Sequence, residues 1–137
     1  MSEVARPAGD LRTTLLIAYA LFVLAPFNGV TAILGIVLVY LRRGEARGTI
    51  WESHTRNLTR VFWISVAVFI VLLAVLLQSF GGLFFWLVTT NGNPPPALVG
   101  ALFLIVPALW LAAILFAVWY LYRTLRGAVR AIENNPY

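Results

Sequence analysis

From Val61 to Tyr122 the chain carries no Asp, Glu, Lys, Arg or His, an unbroken run of 62 residues. A helix needs about 20 mostly apolar residues to cross the hydrocarbon core of a bilayer. The run therefore holds two such segments and a connection. A second uncharged stretch, Thr13 to Leu41, covers 29 residues, too long for one upright crossing and short for two. Charged residues make up 11% of the 137 residues and hydrophobic ones 61%, against about 25% charged in an ordinary soluble domain. This balance excludes a soluble domain, a disordered tail and a collagen-like repeat, and leaves a small integral membrane protein.

The charges sort by position. Arg42, Arg43, Arg47, Arg56 and Arg60 crowd residues 42–60, and Arg123, Arg126 and Arg130 follow the last apolar run, whereas 81–96 holds none. Short loops rich in Lys and Arg stay on the cytoplasmic side, which puts 42–60 and 123–137 inside and 81–96 outside. The stretch Thr13–Leu41 is interrupted by Ala25-Pro26-Phe27-Asn28-Gly29, and Pro followed by Asn-Gly marks a turn. Two arrangements fit. A single kinked, tilted helix would leave Arg6 and Arg12 outside; a helical hairpin broken at Pro26–Gly29 keeps them inside with the other arginines. The charge rule favours the hairpin. Its arms reach only ~20–22 Å at 1.5 Å per residue, which a bundle or a locally thinned bilayer accommodates.

The expected architecture is thus an all-α integral membrane protein, a bundle of about four membrane segments with both termini cytoplasmic. Residues 1–11 form a flexible arm, 13–25 and 28–41 the hairpin, and 42–60 an Arg-rich interfacial segment. Then come a span at 61–80, an external loop at 81–96, a span at 97–122 and a cytoplasmic tail at 123–137. Thr13–Ala25 has the look of a signal-peptide core, but Pro26 is a poor residue to follow a cleavage site, and Glu3 and Asp10 stand among the basic residues ahead of it, so a retained segment is expected. All ten basic residues are Arg, a usage that points to a GC-rich bacterial genome and so to a bacterial inner membrane.

Local signals refine this. Thr49-Ile50-Trp51-Glu52 fits a capping box and places a helix start near Ile50. From 50 to 60 the pattern is amphipathic, and from Val61 it is apolar all round. Leu83–Val88, after Gly81-Gly82, either continues the helix or lies along the outer interface. Three prolines at 94–96 cannot continue a helix, and Pro107 predicts a kink in the last span. Thr31, Gly35, Ala113 and Ala117 are small residues that permit close helix packing. Trp119, Tyr120 and Tyr122 form an aromatic belt, followed by Arg123 and Arg126.

Little here could carry catalysis. There is one His, one Asp, no Cys and no Lys, so thiolate chemistry, an iron–sulfur cluster, a complete zinc site and bis-His haem are all missing ligands. No Gly-rich phosphate loop is present. No catalytic residue, metal or cofactor is expected, and the chain reads as no enzyme. His54 could act as a base beside Ser53 or Ser65, but no third group orients it; the plainer reading is an interfacial residue bonded to headgroups or a neighbouring helix. A net charge of +5 and a pI near 10.5 would suggest nucleic acid in a soluble protein. Here the arginines flank apolar spans and meet anionic headgroups, so no nucleic acid is expected. The lipid- or partner-facing set comprises Arg42, Arg43, Arg47, Trp51, Glu52, His54, Arg56, Arg60, Trp119, Tyr122, Arg123 and Arg126.

The run Tyr40-Leu41-Arg42-Arg43, Arg47-Gly48-Thr49, Trp51-Glu52-Ser53-His54, Arg56, Arg60 and Phe62-Trp63 resembles the cytoplasmic segment of a small bacterial transmembrane family without established function. So does the ending Val118-Trp119-Tyr120-Leu121-Tyr122-Arg123 with Arg126-Gly127 and Asn135-Pro136. The family is grouped loosely with the membrane domain of a chloroplast inner-envelope import (Tic) component. The likeness covers most of residues 13–137 and implies a bundle of short helices and a purposeful Glu52–Arg56 segment. The long uncharged loop LFFWLVTTNGNPPP departs from the pattern. The expected function is that of a small accessory or interaction subunit of a bacterial inner-membrane complex. It would act by helix packing and by binding membrane lipids, another membrane protein or a second copy. An oligomeric transporter or translocation channel is the alternative.

Overall fold

The computed structural model describes residues 8–137. Its regular structure is helical throughout: α1 (Ala8–Leu24), α2 (Gly29–Ala46), α3 (Trp51–Thr89) and α4 (Pro96–Ile132). Residues 1–7 of the expected arm lie outside the described residues.

The break between α1 and α2 follows from its sequence. Pro26 has no N–H to donate, and the Phe27 and Asn28 amides bond back to Leu24 O at 3.1 and 3.3 Å. Asn28 then caps α2, its side chain accepting from Val30 N at 3.2 Å. α1 and α2 pack on each other, with Gly35 seated under the ring of Phe22. Residues Ala8–Leu11, expected in the arm, belong to α1. Leu11 is buried on the same stripe as Leu15, Ala18, Tyr19 and Phe22. Asp10 pairs with Arg42 of α2 at 3.1 Å, and Arg12 donates to Ile132 O, a terminal carbonyl of α4, at 2.9 Å.

Gly48 (φ +73) turns the chain into α3. Thr49 Oγ1 accepts from Trp51 N at 3.2 Å, and the Glu52 carboxylate turns back to accept from Gly48 N at 3.0 Å. α3 then runs through Gly81-Gly82 to Thr89, so the external loop expected at 81–96 shrinks to 90–95. Two helical glycines cost about 1 kcal/mol each relative to Ala, which the intrahelical bonds of Leu83–Val88 outweigh. Both long helices end alike. Asn91 (φ 51) and Asn134 (φ 56) adopt the left-handed conformation. Gly92 N then reaches Leu87 O, and Asn135 N reaches Arg130 O, each at 2.9 Å. This is the Schellman closure, with Asn in the usual Gly position. Pro96 opens α4, where a missing N–H costs nothing.

Two compact units result, each with its own character. One comprises residues up to Ile64 together with Trp119–Tyr137. Its interior is assembled from helical stripes: Leu15, Ala18, Tyr19 and Phe22; Gly35, Ile36 and Val39; His54, Asn57, Leu58 and Val61; Tyr120, Thr124, Gly127 and Ala131. The other, Ser65–Val118, leaves its large side chains outward, Phe69, Leu77, Phe103, Leu104 and Trp110 among them. The apolar windows of α3 and α4 have a mean hydropathy of 2.7, and only 6% and 0% of them are buried. Both helices are long and apolar enough to cross a membrane.

Two glycines set how closely helices approach. A Cβ on Gly127 would lie 2.6–2.9 Å from the Tyr19 ring, and one on Gly35 2.8–2.9 Å from the Phe22 ring. Gly127→Ala should therefore destabilise the folded chain by about 1–3 kcal/mol. Gly81→Ala, in open space, should stabilise it by about 0.5–1 kcal/mol. Unfolding of the three proteins in detergent checks this; equal effects at 127 and 81 would remove the packing role.

Candidate functional site

A directed chain of hydrogen bonds runs through the unit formed by residues up to 64 and 119–137. His54 Nε2 lies 2.9 Å from Asn135 O. A carbonyl only accepts, so Nε2 carries the proton and Nδ1 is the lone pair. Tyr19 Oη, 3.0 Å from Nδ1, must then donate to it. Arg123 Nε donates to Asn57 Oδ1 at 2.9 Å, which orients the Asn57 amide so that Nδ2 donates to Tyr19 Oη at 3.5 Å. Every donor points the same way, from the Arg123 guanidinium through Asn57, Tyr19 and His54 to the Asn135 carbonyl. The Schellman turn after α4 is what delivers that carbonyl.

His54 is fully buried, edge-on to Tyr19 and Tyr137 and tilted against Trp51. It lies in the amphipathic turns of α3, ahead of the apolar run. Burial holds its imidazole below the ordinary pKa, the Arg130 charge pushes the same way, and the bond to Asn135 opposes them. Tyr137 completes the enclosure. Its amide donates to Ser53 Oγ at 2.9 Å, and Arg123 sits 5.7 Å from the centroids of both the Tyr137 and Trp119 rings.

Outside this polar interior the α2–α3 surface is cationic. Arg43, Arg47, Arg56 and Arg60 line a concavity of about 280 Å³ together with Glu52, Thr55, Thr59 and Trp63. A second, of about 240 Å³, is lined by Ser53, Arg56, Asn57, Arg60, Arg123 and Tyr137. Arg56 and Arg60, one helical turn apart, belong to both. The only acidic side chain in either wall is Glu52, already engaged by Gly48. Trp63 is fixed by donating Nε1–H to Tyr40 Oη at 3.0 Å. Such a surface can hold anionic oxygens by charge-assisted bonds. Among the described residues no cluster of three His, Cys, Asp or Glu could hold a metal.

The expected lipid- or partner-facing set divides. Arg43, Arg47, Glu52, Arg56, Arg60 and Arg123 meet at the two concavities. Arg42 stands apart, ion-paired with Glu45 at 2.9 Å and with Asp10. Trp51 and His54, expected at the interface, are buried instead: the chain after α4 folds back onto His54, and Trp51 packs against the His54 ring. Tyr122 is exposed and accepts from Arg126 at 2.9 Å. Of the small residues, Gly35 packs on Phe22, Thr31 bonds back to Asn28 O, Ala113 lines an apolar groove, and Ala117 is exposed. Tyr19, Asn57, Gly127 and Tyr137 were absent from the expected set. The signal available for them was positional: lone polar or small residues repeating on otherwise apolar stripes.

No family model, curated protein or solved structure matches the chain.

The lowered pKa makes His54 a source of acid sensitivity. Above the unfolded-state value, about 6.5, the imidazole is neutral in both states. As pH falls below it the unfolded chain takes up the proton first, so stability drops. The unfolding temperature should fall from about pH 7.5 to about 5, and less steeply in His54→Gln; parallel slopes would count against the buried imidazole. Tyr19→Phe, which leaves His54 Nδ1 and the Asn57 amide without their partner, should cost about 1–3 kcal/mol.

Proposed function

We propose that the chain is a small accessory subunit of a bacterial inner-membrane complex. It would be held in the bilayer by α3 and α4, with its arginine-lined surface gripping anionic lipid headgroups or an acidic partner on the cytoplasmic side. The observation that carries this reading is that the chain has two surfaces of contrasting character, an apolar one on α3 and α4 and a cationic one on α2 and the start of α3. The apolar windows of α3 and α4 are almost free of buried residues, and exposed apolar area on this scale marks a membrane or protein contact. Just ahead of the α3 window stand Arg43, Arg47, Arg56 and Arg60, without acid partners among the described residues beyond Glu52 in their wall. Arginine at that depth faces phosphate. The exposed small residue Ala117 and the groove of about 310 Å³ that Ala113 lines with Leu72, Leu76, Phe80 and Trp110 suit packing against another helix.

Lipid retention tests the arginine surface. The protein is extracted from mixed phosphatidylglycerol and phosphatidylethanolamine membranes, and its co-purifying lipid is quantified. At about 1 kcal/mol per basic residue near the surface, the wild type should retain the anionic lipid several-fold above bulk. The Arg43, Arg47, Arg56 and Arg60→Gln quadruple variant should return to the bulk ratio. Equal retention by both proteins would remove the reading.

A further inference from the structure

The two concavities share a wall. Arg56 and Arg60 project between a chamber completed by Arg43 and Arg47 and a chamber completed by Arg123. Five guanidiniums therefore face two adjoining hollows whose walls hold one acidic side chain, Glu52. Arg43, Arg47, Arg56 and Arg60 are all exposed and make no hydrogen bond or ion pair with another described side chain. Arg123 differs. Its Nε is committed to Asn57 and its plane is set against Trp119 and Tyr137, which leaves the two terminal amino groups for the hollow. One anionic group could satisfy one chamber and leave the other uncompensated. Two separate ions would have to share Arg56 and Arg60 while repelling each other, whereas two anionic groups joined covalently bring that closeness ready-made.

We propose that the paired hollows form one site for a ligand carrying two phosphate groups on a single molecule. One phosphate is held by Arg43 and Arg47, the other by Arg123, and Arg56 and Arg60 lie between and bind both. The proposal rests on the anion-binding reading of this surface and names its ligand class. Two sources share the chemistry: a lipid with two phosphodiesters joined by a glycerol bridge, as in cardiolipin, and a soluble diphosphate. Joining the two groups makes the second contact intramolecular, so the linked ligand outcompetes its single-phosphate counterpart.

The test uses full-length protein in phosphatidylcholine nanodiscs doped with cardiolipin or with phosphatidylglycerol at equal total phosphate, bound lipid being counted by native mass spectrometry. A parallel arm adds inorganic pyrophosphate or orthophosphate, at equal total phosphate, to undoped discs. The expected result is a preference of about tenfold or more per phosphate for cardiolipin over phosphatidylglycerol, for pyrophosphate over orthophosphate, or for both; which arm responds identifies the source. Arg47→Gln and Arg123→Gln, at opposite ends, should each abolish the preference while phosphatidylglycerol still binds. The Arg47 side chain makes no hydrogen bond or ion pair among the described residues, so its variant reports on the site even if Arg123→Gln disturbs Asn57. Anionic probes bound with no preference in either arm, or a preference untouched by Arg47→Gln, overturns the two-phosphate site and leaves the anion-binding reading standing. No retention of any anionic probe overturns both.

Discussion

Tyr19 is the residue on which the polar half of this protein turns. Its ring lies against the backbone of α4 at Gly127, and its hydroxyl meets two side chains of α3, donating to His54 and accepting from Asn57. A buried hydroxyl in that position must be satisfied, since an unpaired one costs about 1–3 kcal/mol. The consequences spread outward from it. The imidazole is fixed in one tautomer, the Asn57 amide in one orientation, and Arg123 is aimed by its Nε. The segment after α4 is drawn back over α3 because Nε2 of His54 needs a carbonyl. A purely apolar contact among α1, α3 and α4 would hold the helices together without specifying any of these directions.

The chain divides its work along its helices. Arg123, Asn57, Tyr19 and His54 satisfy one another in the unit containing Tyr19, while Arg43, Arg47, Arg56 and Arg60 on its surface make no ion pair with another described side chain. In Ser65–Val118 the balance is reversed, with no charged side chain and most large apolar ones exposed. On the proposed reading the two solvents of the chain, lipid and water, account for both. The hydrocarbon covers the apolar windows, and the arginines stand where phosphate is plentiful.

Much of this could be read in advance, for identifiable reasons. Pro26 and Asn28 act locally, so the break between α1 and α2 was visible in five residues. The Thr49–Glu52 cap was visible too, although Glu52 serves Gly48 and not the residue a capping box would supply. Gly81-Gly82 misled, because local helix weakness is small against the turns of apolar helix that follow. Leu11 was assigned to a loose arm and Arg12 to no element, because their partners, the interior stripe and the end of α4, are distant in sequence. The burial of His54 was hidden for the same reason. It depends on Asn134 turning left-handed and on residues 135–137 returning 81 or more positions back along the chain. Gly127 looked like one glycine among ten until Tyr19 was found against it.

The claim that a bilayer covers the outward apolar faces while the arginine surface meets water and headgroups is open to one direct measurement. Nitroxide labels at Phe69, Leu115 and Arg47, in protein reconstituted into lipid vesicles, report collision with oxygen and with a water-soluble nickel complex. An embedded chain gives high oxygen and negligible nickel accessibility at 69 and 115, and the reverse at 47. Nickel reaching Phe69 and Leu115 as readily as Arg47 would show that water, not lipid, surrounds those helices, and would contradict the membrane assignment.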